Sequence, residues 1–149
     1  MSLPLIVVCV LVACVLVAVW IKRTRDKRQL EVHTITAEGL HNLLDAREEV
    51  LLFDVRLPLD LLADSEIIRG ATRIPPQDVL RNPSLIPKDK DAVVYCTCPG
   101  EETARRVLRR ALATQHSRVK ILKGGLAGWK AKGYPVVPYN ESFHLDTRT

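Results

Sequence analysis

No charged residue occurs between Ser2 and Ile21 of this 149-residue chain, and that run limits what the N-terminus can become. At about 1.5 Å of rise per residue, a helix of that length reaches roughly 30 Å, the thickness of a bilayer's hydrocarbon core. The run is mostly Leu, Val, Ile, Ala and Cys and closes on Trp20. An indole at the end of a span suits the membrane–water interface. Few soluble cores hold so long an uncharged stretch. A cleaved signal peptide would need a basic leading segment and a small-x-small cleavage site. Met1-Ser2-Leu3-Pro4 has no basic side chain, and Ala18-Val19-Trp20 fits cleavage poorly. The expectation is a single transmembrane anchor over residues 1–21, with residues 3–21 in the lipid.

Lys22-Arg23-Thr24-Arg25-Asp26-Lys27-Arg28 follows directly and carries a net charge of +4 out of the chain's +5. The remainder is nearly neutral, so the positive excess is a collar beside the span and not a nucleic-acid footprint. A basic cluster next to a span marks the cytoplasmic side. The N-terminus is therefore expected outside and the rest of the chain in the cytoplasm, as in a bacterial inner membrane. Residues 22–31 read as a basic juxtamembrane linker, 32–139 as one domain and 140–149 as a tail.

Cys9 and Cys14 lie in the apolar run, where they read as small apolar side chains. Cys96 and Cys98 are one residue apart. Nothing resembles a disulfide framework, in keeping with a reducing compartment. A lone Cys-x-Cys with no nearby His is a weak zinc signal, and no metal is expected. His33, His41, His116 and His144 are scattered and read as surface residues.

Thr36 is a plausible N-cap for a helix running to about Ala46, with Leu40, Leu43 and Leu44 at helical spacing. Val50 to Val55 is a continuous apolar run broken only by Asp54, the pattern of a strand buried on both faces. Pro58 to Asp64 suggests a helical turn, and Ile68 to Pro75 a loop leading to a short strand. Pro76 to Leu80 opens a helix that Asn82-Pro83 breaks. Ala92 to Tyr95 is a second buried strand. Ala104, Val107, Leu108, Ala111 and Leu112 form one apolar helix face, with Arg105, Arg106, Arg109 and Arg110 on the wet side. Val119 to Leu122 is a third strand, Gly124-Gly125 a turn, and Leu126 to Lys132 a helix stopped by Gly133. Alternating strands and helices imply an α/β fold with a small, mostly parallel sheet flanked by helices.

The chemistry-bearing segment is Cys96-Thr97-Cys98-Pro99-Gly100-Glu101-Glu102, between a strand and a helix. Parallel sheets bind ligands beyond the carboxyl ends of their strands. Backbone N–H groups there, aided by the helix dipole, attract anions and favour the thiolate, which is the nucleophile. Gly100 allows a tight backbone curl. A buried core cysteine at a strand end is the competing reading of Cys96. Cys98 is a resolving thiol or a small loop residue.

Four separated segments resemble the rhodanese family of sulfurtransferases. They are Leu52-Phe53-Asp54-Val55-Arg56, Ile68-Arg69-Gly70-Ala71-Thr72-Arg73-Ile74-Pro75, Val93-Val94-Tyr95-Cys96, and Leu122 to Trp129 followed by Gly133-Tyr134-Pro135-Val136. The likeness covers roughly Val32 to Pro138 and extends to membrane-anchored, single-domain members. It implies sulfane-sulfur transfer. Cys96 would take sulfur from a donor such as thiosulfate, hold it as a persulfide, and give it to a thiol or cyanide. The N–H groups of Thr97 to Glu102 would stabilise the persulfide charge, and no cofactor is required. Asp54 and Arg56 would lie at the sheet edge, either orienting the loop or holding the fold as an ion pair. Trp129 reads as a packing anchor.

Two positions depart from the family pattern. Ile67 stands where the family often has His. Glu101, followed by Glu102, stands where it commonly has Arg. Carboxylates suit a helix's first turn, but negative charge beside a thiolate disfavours it and repels an anionic donor. Thiosulfate is therefore expected to be a poor donor, and a protein or low-molecular-weight persulfide a better one. The alternative function is a catalytically silent, membrane-tethered docking module. A Cys96–Cys98 redox switch is a third reading, disfavoured because its ring would be very small. The protein partner and the reason for tethering are not legible.

Overall fold

The computed structural model describes residues 2–97 and 99–141, with the side chain of Pro99 excepted. The chain forms two compact units, Met1–His33 and Thr34–Thr149.

The first unit is one helix, α1, over Leu3–Val32. It is long and apolar enough to cross a membrane, and none of its residues is buried. Its 30 residues amount to about 45 Å, well beyond a hydrocarbon core. The helix does not end where the charges begin. It runs on through Lys22–Arg28, the stretch expected to be a linker. Lys, Arg, Gln, Glu and Leu are good helix formers, and neither Gly nor Pro interrupts them. At the changeover the Thr24 hydroxyl donates to the Ile21 carbonyl (2.9 Å), which satisfies it inside the helix.

The second unit begins with β1 (Thr34–Ile35) and α2 (Ala37–Asp45). The N-cap is Thr36, whose hydroxyl accepts the Gly39 N–H at 3.0 Å. Then come β2 (Val50–Asp54), α3 (Pro58–Ala63), β3 (Glu66–Ile68), β4 (Ala71–Arg73) and α4 (Pro76–Arg81). The last part holds β5 (Asp91–Tyr95), α5 (Glu102–Ala113), β6 (Val119–Leu122), α6 (Gly125–Ala131) and β7 (Val136–Pro138). The five-stranded sheet has the order β1-β6-β5-β2-β4, and every adjacent pair is parallel. A separate antiparallel pair, β3 with β7, joins Ile67 to Val137. Neither β3 nor β7 was expected as a strand. Each has three residues, too few to show an alternation.

On one face Leu40 of α2 and Leu126 and Trp129 of α6 pack with Leu52, Val93 and Tyr95 of the sheet. Strand alternation turns Phe53, Val94 and Ile121 to the other face, toward α5. There Ala104, Val107, Leu108 and Ala111 are buried as their spacing requires. Trp129 is 1% exposed, and its Nε1–H donates to the Pro135 carbonyl at 3.0 Å. Ile67, the residue in the place of a histidine, is buried in this core. One histidine expectation fails. His116 is buried in the turn after α5, with Nδ1 2.9 Å from the Thr114 hydroxyl. His144 lies outside the described residues.

Lys130 of α6 crosses to the β3 region, with its ammonium 2.6 Å from Asp64 and also paired with Glu66. The Lys130 hydrogen bond holds the Asp64 carboxyl below its ordinary pKa. A carboxyl depressed by folding stabilises the fold above its unfolded pKa, and that contribution fades as pH falls through the folded value. Lys130→Met is therefore expected to lower the melting temperature at about pH 6 more than at about pH 3, where the carboxylates are protonated. Thermal melts of both proteins at the two pH values check this, and an equal loss at both contradicts it.

Candidate active site

Strand β5 ends by delivering Cys96 to the carboxyl edge of the sheet, between β6 and β2. Cys96 is 1% exposed. Its carbonyl oxygen accepts the N–H of Leu126, in the first turn of α6, at 3.2 Å. This contact requires glycine. A Cβ on Gly125 would stand 2.0 Å from the Cys96 oxygen. Gly124 and Gly125 also have φ values of 77° and 55°, which favour glycine. The Gly-Gly pair thus turns the chain and also lets α6 close on the cysteine backbone.

After the half-buried Thr97 the chain makes a 3-10 turn over Pro99–Glu101. Gly100 and Glu101 are both left-handed, at φ 65° and 58°. For a non-glycine residue that conformation costs about 1–2 kcal/mol and persists only where surrounding contacts fix it. The contact at Glu101 is direct. Its Oε1 accepts the Gly124 N–H at 2.5 Å, and its Oε2 lies 3.9 Å from Nη2 of Arg105. The side chain does not cap α5. It reaches across to the β6–α6 turn, with only 18% of its surface exposed. Glu102 opens α5 and points to solvent, 3.9 Å from Arg109. Cys98 and the side chain of Pro99, both placed in the loop by the sequence, lie outside the described residues.

Asp54 and Arg56 stand at the end of the neighbouring strand β2, and both are fully buried. The Arg56 Nε lies 3.0 and 2.8 Å from the two Asp54 oxygens, and Nη2 lies 2.6 Å from Oδ2. The same guanidinium donates to the Asp64 and Glu66 carbonyls, each at 2.7 Å. A single side chain therefore neutralises a buried carboxylate and ties β2 to the start of β3. Tyr95, the residue before Cys96, completes the cluster. Its hydroxyl accepts the Ile68 N–H at 3.1 Å. Burial, with the Asp54 carboxylate beside it, pushes that hydroxyl's pKa well above its ordinary value, so Tyr95 stays neutral. Sequence reasoning did not single out Tyr95. A tyrosine in an otherwise aliphatic strand was the available signal.

The structure thus gathers Cys96, Thr97, Gly100 and Glu101 at one sheet edge, with Asp54 and Arg56 behind the next strand end and Glu102 facing outward. Among the described residues no group of three or more His, Cys, Asp or Glu gathers to hold a metal.

The sequence pattern of the rhodanese-like domain family matches residues 36–132. A protein of Allochromatium vinosum named a sulfurtransferase is 34% identical over 108 residues, which is 71% of this chain and 95% of that protein. A solved thiosulfate sulfurtransferase of Pseudomonas aeruginosa is 27% identical with a TM-score of 0.60. The match covers 77% of this chain but 22% of that one, so that name describes a much larger protein. A Lactobacillus plantarum protein shares the fold, with a TM-score of 0.64 at 22% identity, over 78% of this chain and 97% of its own.

Arg56→Met is expected to cost about 3–5 kcal/mol, because it leaves the Asp54 carboxylate buried and unpaired. Chemical denaturation of the detergent-solubilised protein measures this. A loss under about 1 kcal/mol, typical of an exposed pair, would show that the pair does not hold the sheet edge.

Proposed function

Because this chain belongs to the rhodanese-like domain family, we propose that it is a sulfurtransferase carrying sulfane sulfur as a persulfide on Cys96. The observation that carries this reading is the position of Cys96. It is a buried thiol at the carboxyl end of a central parallel strand, followed by a tight loop that opens a helix. The Cys96 thiolate attacks the outer sulfur of the donor. A new S–S bond forms, the donor's own bond to that sulfur breaks, and sulfite leaves from thiosulfate or a thiolate from an organic persulfide. A thiol or cyanide then attacks the terminal sulfur and releases the Cys96 thiolate. Loop N–H groups between Thr97 and Glu102 stabilise the persulfide charge.

Glu101 biases the choice of donor. Thiosulfate is a dianion and an alkyl persulfide a monoanion, so a nearby carboxylate opposes the first more. The contact with Arg105 at 3.9 Å offsets part of this. The favoured donor is a persulfide on a small thiol or on a protein. The helix Leu3–Val32 anchors the protein through residues 3–21. The basic collar at Lys22–Arg28 supports a reading with the N-terminus outside and the sulfurtransferase domain in the cytoplasm.

Incubation of the full chain with a persulfide donor is expected to add one sulfur atom to its intact mass, and Cys96→Ser is expected to abolish the gain. A gain that survives in Cys96→Ser, or no gain with any sulfur donor, refutes the persulfide reading. The second outcome would favour a docking module. For the donor preference, Glu101→Gln removes the charge and keeps the acceptor for Gly124. It should raise kcat/KM for thiosulfate about fivefold, the scale of one charge at about 4 Å in water. Arginine at this position would also break the Gly124 bond and mix the two effects. Unchanged kcat/KM in Glu101→Gln contradicts the electrostatic argument.

A further inference from the structure

We propose that the arginine face of α5, extended by Arg81 of α4, is a docking surface for an acidic protein that exchanges sulfur with Cys96. The partner's role rests on the sulfurtransferase reading, but the surface itself does not. Helix α5 carries Arg105, Arg106, Arg109 and Arg110 against Glu102, a net charge of +3. The collar adds +4, yet the whole chain is only +5, so everything else is negative by two. The positive charge outside the collar is therefore concentrated on one helix.

Packing turns that concentration into a face. Ala104, Val107, Leu108 and Ala111 are buried, which leaves the four arginines on the opposite side, within a sector of about 140° at 3.6 residues per turn. Helix α4 packs beside α5, and the Arg110 Nε–H donates to the Leu80 carbonyl at 3.0 Å. That contact brings the next residue, the exposed Arg81, to the far end of the stripe. Acids stand only at the near end, where Glu101 and Glu102 each lie 3.9 Å from an arginine. Among the described residues Arg81, Arg106 and Arg110 have no carboxylate within 4.0 Å, whereas Lys90, Arg118 and Lys130 each pair with one. The stripe begins at the sheet edge that bears Cys96 and runs about 12 Å down α5 to Arg110. A protein lying along it can present a cysteine to that edge.

The face suits carboxylates better than nucleic acid or lipid. Guanidinium forks meet carboxylates at two points, and arginine is enriched in protein interfaces. Nucleic acid strands favour basic grooves with aromatic rings to stack on, and neither α4 nor α5 has an aromatic residue. An anionic membrane surface would meet Glu101 and Glu102 at the end nearest Cys96. A protein can place a cation opposite those two acids and carboxylates opposite the arginines.

The probe is a fluorescein-labelled peptide of Asp, Glu and Ala with one cysteine, beside a counterpart built from Asn, Gln and Ala. Fluorescence anisotropy reads its binding to the full chain in neutral detergent. At low salt the acidic peptide is expected to bind about tenfold tighter than the neutral one, the scale of three exposed ion pairs, and about 0.5 M salt should erase the difference. Combined Arg81→Gln, Arg106→Gln and Arg109→Gln should erase it too. Combined Lys88→Gln, Lys120→Gln and Lys132→Gln removes as much charge at exposed positions elsewhere and should keep affinity within about twofold. Arg106→Glu, one exposed reversal, should by itself weaken binding about fivefold and serves if the triple arginine variant unfolds. Equal losses in both triple variants overturn the surface, because net charge would then be the cause. So does tighter binding of a single-stranded RNA of equal charge. Displacement of the peptide by equimolar dihexanoylphosphatidylglycerol, but not by its phosphatidylcholine analogue, also overturns it in favour of lipid. With the peptides supplied as persulfides, the outer sulfur bonds to Cys96 as the peptide thiolate leaves, and kcat/KM should follow the same order as binding. Equal sulfur uptake from both peptides overturns the docking surface and leaves the sulfurtransferase reading standing. Arginine-dependent binding with no sulfur gained from any donor does the reverse.

Discussion

A buried carboxylate at the end of a central strand is a liability, and this fold is arranged around removing it. Asp54 sits at zero exposure, where an unpaired charge would be very unfavourable. Arg56 meets it through four contacts of 3.0 Å or less, one of them from its backbone N–H, and its guanidinium also donates to the Asp64 and Glu66 carbonyls. Such a pair adds little net stability over apolar packing, but breaking it is costly. Its consequence here is geometric. The guanidinium can satisfy the carboxylate and both carbonyls only when the end of β2 and the start of β3 lie side by side. Tyr95 then closes the cluster from the next strand by accepting the Ile68 N–H. Cys96 is the residue after Tyr95, so the pair fixes the strand end from which the reactive segment departs.

From that point the segment is shaped by backbone contacts with α6 more than by its own sequence. Gly125 lets the first turn of α6 approach the Cys96 carbonyl, and Gly124 offers its N–H to Glu101. The acid that reads as an electrostatic obstacle to an anionic donor is thus also a structural member. Both roles follow from one carboxylate. Its charge makes the bond to Gly124 strong, and the same charge underlies the donor preference proposed above. Arg105 stands near the outer oxygen, so the mouth of the loop is a compensated pair and not a bare negative patch.

The sheet was legible because its strands and helices carry complete local signals. Thr36 supplies a side-chain cap, and the hydroxyl does accept the Gly39 N–H. Ala104, Val107, Leu108 and Ala111 repeat at the helical period and are buried. Val119 to Leu122 is a short apolar run bounded by polar turns, and β6 occupies those four residues. What was missed carries no periodic signal. Strand β1 has two residues, and β3 and β7 have three each, stabilised by partners far away in sequence. The helix through Lys22–Arg28 is hidden for the opposite reason, because the change from apolar to charged residues at Lys22 does not interrupt a run of good helix formers. His116 is buried by the turn that ends α5, where a lone histidine in sequence gives no hint of its surroundings.

At the site the division is sharper. Cys96 was legible from its place between a strand and a helix, and Asp54 and Arg56 from the strand end that holds them. The work of Glu101 was not, since its partner is 23 residues away and is a backbone N–H, which every residue but proline possesses. Sequence reports side-chain chemistry well and tertiary proximity poorly. A glutamate at a helix start carries a familiar local explanation, capping, which here is not its role. The left-handed φ of 58° is the observation that breaks the local explanation. A capping glutamate would sit in ordinary helical or extended backbone, whereas this one holds a disfavoured conformation in order to reach another element. A residue that departs from its local preference in this way is answering to a distant contact. At this loop that contact is the N–H of Gly124, in the turn before α6.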